Sequence, residues 1–293
     1  MRPFEYLAPD SVAEALDMLA KFGPKAVVMA GGTDVVVALN ERSIHPEYVI
    51  HISKLDELRY IKRDDGCFRI GPLTTMNELA ESKLVQESLT ALAEAAENSA
   101  APQVRNLGTI GGNLGTASPA GDQVTALVAL GAVIKLASRR GETEVPVEDF
   151  LVGPKKNILA KDQLITEIII PSLPPNSGSA FQKLGKRKAM SISIASAAAA
   201  LTVSADGKVL ENIRVAMGSL APTVVRARKF EAALRGKAVD LSEIKKAANL
   251  VLEDIEPITD VRASAWYRKE VAGALAARSV ENALANLRKP QFA

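Results

Sequence analysis

The chain has 293 residues, 47% hydrophobic and 24% charged, with a formal net charge of +2. That composition suits a globular protein with a sizeable core, and the length suits two domains or three lobes. Near-neutral charge and 4% aromatic residues offer nucleic acid neither a basic face nor a stacking platform, and one cysteine, Cys67, excludes an internal disulfide, a zinc cluster or an iron–sulfur centre.

Asp10-Ser11 followed by Glu14 reads as a capping box, with Val12, Ala15, Leu16 and Leu19 at helical spacing and Gly23-Pro24 as the stop. "KAVVMA" (25–30) reads as a short buried strand and "EYVIHIS" (47–53) as another. "LRYIKRDDGCFRIG" (58–71) predicts a hairpin turning at Asp65-Gly66. Thr75 and Glu78 repeat the capping pattern, and residues 83–100 predict one longer amphipathic helix. A helix is expected from Asp122, then strands at 132–138, 143–147 and 162–170. "PSLPPNSG" (171–178) reads as a linker. Beyond it, strands at 179–185, 192–204 and 209–219 precede helices near 223–235, 241–253 and 264–288. The pattern changes beyond this linker, which divides the chain in two. No run of 18 apolar residues occurs, so no membrane span is expected, and the N-terminus lacks an apolar signal core. A cytoplasmic location is the expectation.

Two glycine runs stand out, "AGGTD" (30–34) and "TIGGNLGTASPAGD" (109–122). Glycine lets a ligand approach the backbone, and consecutive amides freed this way make a concave site for an anion such as a phosphate. Thr33 adds a hydroxyl to the first run, and Thr109 precedes Gly111, Gly112 and Asn113 in the second. Neither run is a P-loop or a Rossmann fingerprint. His45 and His51 lack partners at metal spacing, so no metal site is expected, and no nucleophile elbow is present. The basic cluster "KLGKRK" (183–188) reads as a solvated loop or as a phosphate or partner contact.

In order along the chain, "AGGTD", "QVRNLGTIGGNLGTASPAGD", "EIIIP", "FQKLGKRKAMSISIA" and "VAMGSLAPTVVRARKFEAALRGK" resemble the FAD-binding medium subunit of molybdenum hydroxylases. The likeness covers nearly the whole chain. It implies an α+β fold: a two-lobed FAD-binding domain of the vanillyl-alcohol-oxidase (PCMH) type at 1–175, with lobes about 1–55 and 56–175, then a C-terminal α+β domain of the carbon monoxide dehydrogenase flavoprotein type at 176–293. It places FAD against Val28, Met29, Ala30, Gly31, Gly32, Thr33, Asp34 and Val35, and against Thr109, Ile110, Gly111, Gly112 and Asn113. Ser118, Asp122, Ile165 and Lys183 match further cofactor contacts.

The resemblance further implies an electron-transfer subunit. A [2Fe–2S] small subunit would supply the electrons, and a molybdopterin large subunit would hydroxylate the substrate. NAD⁺, a quinone or another acceptor would take the electrons, and the assembly would be a dimer of heterotrimers. No catalytic acid–base pair is expected on this chain. Two departures are visible. Cys67 alone cannot supply the extra iron–sulfur loop of 4-hydroxybenzoyl-CoA reductases, and Ser191 stands where many relatives place an aspartate. Two rival readings keep the nucleotide site: a self-contained FAD-dependent oxidoreductase, and a non-enzymatic nucleotide-binding assembly subunit.

Overall fold

The first lobe is a parallel three-stranded sheet. Its strands are β1 (Glu5–Leu7), β2 (Ala26–Met29) and β3 (Tyr48–His51), in the order β1-β3-β2. Helix α1 (Val12–Phe22) connects the first two and buries Ala15, Leu16 and Leu19. Its start is doubly capped: Ser11 Oγ accepts from the Glu14 amide at 3.1 Å, and the Glu14 carboxylate accepts from the Asp10 amide at 2.8 Å. A short helix, α2 (Val35–Asn40), lies between β2 and β3. The computed structural model describes residues 1–287.

The second lobe is an antiparallel sheet of β4 (Ile61–Asp64), β5 (Cys67–Ile70), β6 (Val133–Ser138), β7 (Gly141–Pro146) and a later strand. After a two-stranded excursion, β8 (Leu151–Gly153) and β9 (Lys156–Asn157), that strand enters as β10 (Leu164–Pro171), giving the order β4-β5-β10-β6-β7. The β4–β5 hairpin turns at Asp65 (φ 41°) and Gly66 (φ 76°), the left-handed pair that matches strand twist. Central β10 carries a buried carboxylate, Glu167, satisfied by Tyr60 Oη at 2.7 Å and Arg69 Nη1 at 2.5 Å.

Between β5 and β6 run α3 (Met76–Glu81), α4 (Lys83–Ser88), α5 (Thr90–Glu97), α6 (Pro102–Arg105), α7 (Ile110–Thr116) and α8 (Asp122–Leu130), with α9 (Val147–Phe150) after β7. The C-terminal unit is an antiparallel sheet of β11 (Ser177–Leu184), β12 (Ala195–Val203), β13 (Leu210–Gly218) and β14 (Val225–Arg226). Helices α10 (Arg228–Leu234), α11 (Leu241–Ala247) and α12 (Ala265–Ala285) follow. Strand β12 is buried along its whole length. Ala195, Ala197, Ala199 and Leu201 share a core with Ala272, Ala276 and Val280 of α12, whereas Ala198 and Ala200 join the core of α5 and α8. Small side chains are needed there because helices close on both faces of the strand.

Three expectations are corrected. The single helix over 83–100 is two, broken at Leu89 (φ −134°, ψ 50°), because the C-terminal sheet caps the second piece. Ser179 Oγ accepts from the Ala91 amide at 3.1 Å, and Glu94 accepts from the Phe181 amide at 2.6 Å. The linker is shorter than 171–178: Ser177 and Gly178 already belong to β11 and are buried. A Cβ at Gly178 would lie 2.1 Å from the Ala283 carbonyl oxygen, so this glycine serves close packing on α12. The first predicted C-terminal helix begins late, because Val225 and Arg226 pair with Met217 and Ala216 as an edge strand. Residue 288, the last of the third predicted helix, lies outside the described residues.

The turn before α12 is tied to the C-terminal sheet by Arg268, which is buried and donates to the carbonyls of Ile194 and Ser219 and, at 2.8 Å, to Asp260 Oδ1. Burial acts to raise the Asp260 carboxyl, but donors from Arg262, Arg268 and Ala263 outweigh it and hold it well below the usual carboxylate range. A depressed folded pKa contributes stability that is fully present above the unfolded value of about 3.9 and is lost as pH falls through the folded value. Asp260→Asn is expected to cost about 3 kcal/mol at pH 7, since it leaves Arg268 buried without its counter-charge. In urea titrations the gap between wild type and variant should persist at pH 5 and close only in strongly acid solution.

Candidate functional site

The two glycine runs, one from each lobe, meet. The exit of β2 is set by the parallel pairing of Met29 with His51 and by the Ile52 amide on the Met29 carbonyl at 2.9 Å. His51 then braces the loop: Nε2 lies 3.2 Å from the Ala30 carbonyl oxygen, and Nδ1 lies 2.5 Å from the Tyr6 hydroxyl. The tautomer with the proton on Nε2 satisfies both contacts. Val28 and Ala30 are partly buried and pack on the first-lobe core.

Gly31 is required by close approach. A Cβ there would lie 1.6 Å from the Leu107 carbonyl oxygen, on the segment leading into the second run. Gly32 adopts φ +74° and turns the chain into α2, whose Val36 amide returns to the Gly32 carbonyl at 2.9 Å. Among the described residues, the amides of Gly32, Thr33 and Asp34 have no acceptor within the chain. The carboxylate of Asp34 accepts from Thr116 Oγ1 at 3.0 Å, a second tie between the runs.

The second run is not a strand-end turn but the first turns of α7. Thr109 is its N-cap and accepts from the Gly112 amide at 3.1 Å. The other leading amides are engaged as well: Ile110 on the Thr74 carbonyl, Gly111 on Pro72 at 2.9 Å, and Asn113 on Thr109 at 3.0 Å. Gly111 lies against the second lobe, where a Cβ would stand 2.5 Å from Pro72 Cβ. Gly112 and Gly115 face outward, with no chain neighbour beyond the Thr109 cap at the first and open space at the second. The Asn113 side-chain oxygen is buried with no partner.

The remaining expected contacts are placed differently. Ser118 is half-buried and caps the Ala120 amide at 3.3 Å. Ile165 is a core residue of β10, only 5% exposed. Asp122 and Lys183 come together as a buried ion pair, 2.6 Å between Nζ and Oδ2. Lys183 also donates to the Asn98 carbonyl at 2.9 Å, and Asp122 accepts from Ser193 at 2.6 Å. Burial raises the Asp122 pKa, against the Lys183 ammonium and the Ser193 and Ser99 hydroxyls. This pair joins α8 of the second lobe to β11 of the C-terminal sheet.

Two concavities flank these features. A cleft of about 230 Å³ is lined by Gly31, Ser53, Arg59, Thr75, Asn106 and Thr109, among others. A second, of about 320 Å³, is lined by Asn98, Lys183, Gly185, Arg187, Lys188 and Ser191, among others. Of the basic cluster, Arg187 is folded onto its own loop through the Ala189 and Met190 carbonyls, and Lys186 binds the Val261 carbonyl at 2.9 Å. The sequence carried no signal for Arg59 or Asn98, which belong to no motif; Asn106 lies in the run "QVRNLGTIGGNLGTASPAGD" without being singled out there, and all three reach the clefts through the fold.

Comparison with known proteins agrees with this architecture. The FAD binding domain in molybdopterin dehydrogenase matches residues 2–173, and the CO dehydrogenase flavoprotein C-terminal domain matches residues 179–283. The carbon monoxide dehydrogenase medium chain of Hydrogenophaga pseudoflava is 35% identical over 96% of this chain and 97% of that protein. The nicotinate dehydrogenase FAD-subunit of Eubacterium barkeri is 34% identical over 92% of each. Among solved structures, the Hydrogenophaga pseudoflava carbon monoxide dehydrogenase superposes with a TM-score of 0.93, covering 98% of this chain and 100% of that one at 35% identity.

Two expected outcomes test the site's construction by thermal and urea melts. Gly31→Ala should destabilise the chain by about 3 kcal/mol through overpacking against Leu107, whereas Gly115→Ala, in open space on a helix, should stabilise it by about 0.5–1 kcal/mol. Lys183→Met should cost about 3–5 kcal/mol by leaving Asp122 buried and unpaired, and adding Asp122→Asn should recover much of that loss.

Proposed function

Given that the chain belongs to the family of FAD-binding flavoprotein subunits of molybdenum hydroxylases, we propose that it is the electron-relay subunit of a larger complex. The observation that carries the site is the contact of the two glycine runs. It leaves three unengaged amides on one side and the bare face of α7 on the other. A diphosphate fits such a setting, since it needs donors and backbone at close range. The partnerless Asn113 oxygen and the open Gly112 and Gly115 positions fit a ligand lying along α7.

In this reading the amides of Gly32, Thr33 and Asp34 and the Thr33 hydroxyl hold the diphosphate. Gly112 and Gly115 give the ribityl chain room along α7. Lys183, fixed by Asp122 and the Asn98 carbonyl, presents its remaining proton at the flavin end beside Ser191. Bound flavin supplies redox chemistry that accepts electrons singly and passes them on in pairs. The chain itself binds, orients and shields the cofactor, and the scarcity of acid–base pairs around the clefts fits that division of labour.

The partners in this proposal are a [2Fe–2S] subunit that delivers electrons and a molybdopterin subunit where substrate is hydroxylated, assembled as a dimer of heterotrimers. NAD⁺, a quinone or another acceptor takes the electrons from the flavin in this proposal. The names of the relatives support a subunit role: one is a medium chain, another an FAD-subunit. Among the described residues no helix is long and apolar enough to cross a membrane.

The test is co-purification of the tagged chain followed by a visible spectrum and metal analysis. About one flavin per chain, with companion polypeptides carrying iron–sulfur and molybdenum, is the expected result. Gly32→Val should lose most of the flavin, because a β-branched residue at φ +74° is strained and its Cβ would press on Val36, displacing the loop whose amides hold the diphosphate. Substrate turnover by the isolated chain would argue for the self-contained oxidoreductase, and a colourless protein for the assembly subunit.

A further inference from the structure

We infer that Arg59, outside both glycine runs, is the cationic contact for the diphosphate bridge of the dinucleotide. The inference rests on the FAD reading above and deepens it. Arg59 shares the wall of the 230 Å³ cleft with Gly31 of the first run and Thr109 of the second. The other residues lining that cleft are all uncharged, so Arg59 supplies its only formal charge.

The guanidinium is uncommitted. Its one hydrogen bond among the described residues is a long one, 3.5 Å from Nη2 to the Ser53 carbonyl oxygen. Arg59 forms none of the ion pairs found among the described residues. A guanidinium has five N–H donors, so nearly all of them remain for a ligand. Its backbone, by contrast, is firmly held. The Arg59 amide donates to Asp56 at 3.0 Å, and the preceding Leu58 is buried with its carbonyl accepting from the Leu73 amide at 2.9 Å. An exposed head on a fixed base, at the joint between the lobes, is suited to binding an anion.

The electrostatic need is specific. A diphosphate bridge carries two negative charges. The leading amides of α7 are already engaged with Thr74, Pro72 and Thr109. The unengaged amides of the first run, at Gly32, Thr33 and Asp34, are neutral donors from a single loop. A planar guanidinium matches phosphate oxygens two at a time and adds the missing charge.

The experiment titrates flavin-stripped chain with FAD, following fluorescence quenching at a series of KCl concentrations. Arg59→Gln should weaken FAD binding about 10- to 100-fold at low salt, the loss expected for a charge-assisted contact. It should also flatten the salt dependence, and Arg59→Lys should retain part of both. The apo melting midpoint should stay within about 2 °C of wild type, because the side chain is exposed. Unchanged FAD affinity in Arg59→Gln overturns the inference. So does a weakened affinity with the wild-type salt slope, which would mark Arg59 as a structural prop. A wild-type chain that takes up no FAD at all overturns the functional reading and this inference with it.

Discussion

The structure depends on backbone meeting backbone where Gly31 lies against the Leu107 carbonyl. No side chain fits between the two segments. That contact brings a loop from the parallel sheet of the first lobe onto the helical run of the second, and the Thr116–Asp34 hydrogen bond and the His51 brace hold it in register. Everything proposed about the cofactor follows from the geometry this contact produces: unengaged amides on one side, a glycine-lined helix face on the other, and Arg59 across the cleft.

The glycines within the two runs serve different physical needs. Gly31 and Gly111 let chain segments pack against each other, at Leu107 and Pro72. Gly32 supplies a left-handed turn. Gly112 and Gly115 leave space that nothing in the chain fills. The first three are about the fold, and the last two keep a surface bare. A close double-glycine motif therefore mixes structural and ligand roles residue by residue, and the roles separate only when each neighbour is known.

The C-terminal unit is joined to the rest by a layer of α5 and α8 shared between two sheets. Alternate residues of β12 enter two different cores, and the buried Asp122–Lys183 pair ties α8 to β11 at the edge of the larger cleft. A buried ion pair gains little net stability but is costly to break. Here it holds a lysine at a defined point on the cavity wall. The break of the helix at Leu89 belongs to the same joint, since the freed first turn of α5 is capped by Ser179.

Local patterns were legible in the chain itself. The capping signals at Ser11 and Thr75, the Asp65-Gly66 hairpin, the β-branched run of β10 and the alanine-rich β12 each depend on residues within a few positions of one another, and short-range sterics and hydrogen bonding dictate them. The order of the glycine and "KLGKRK" motifs was enough to place the chain in its family. What required the tertiary structure were the outcomes of long-range competition. Asp122 and Lys183, 61 residues apart, neutralise each other. The α7 amides are engaged by a loop that precedes them by some 35 residues. Arg59 lines a cleft although no motif contains it. A donor's availability depends on what else in the fold has already taken it, and only the folded arrangement decides that.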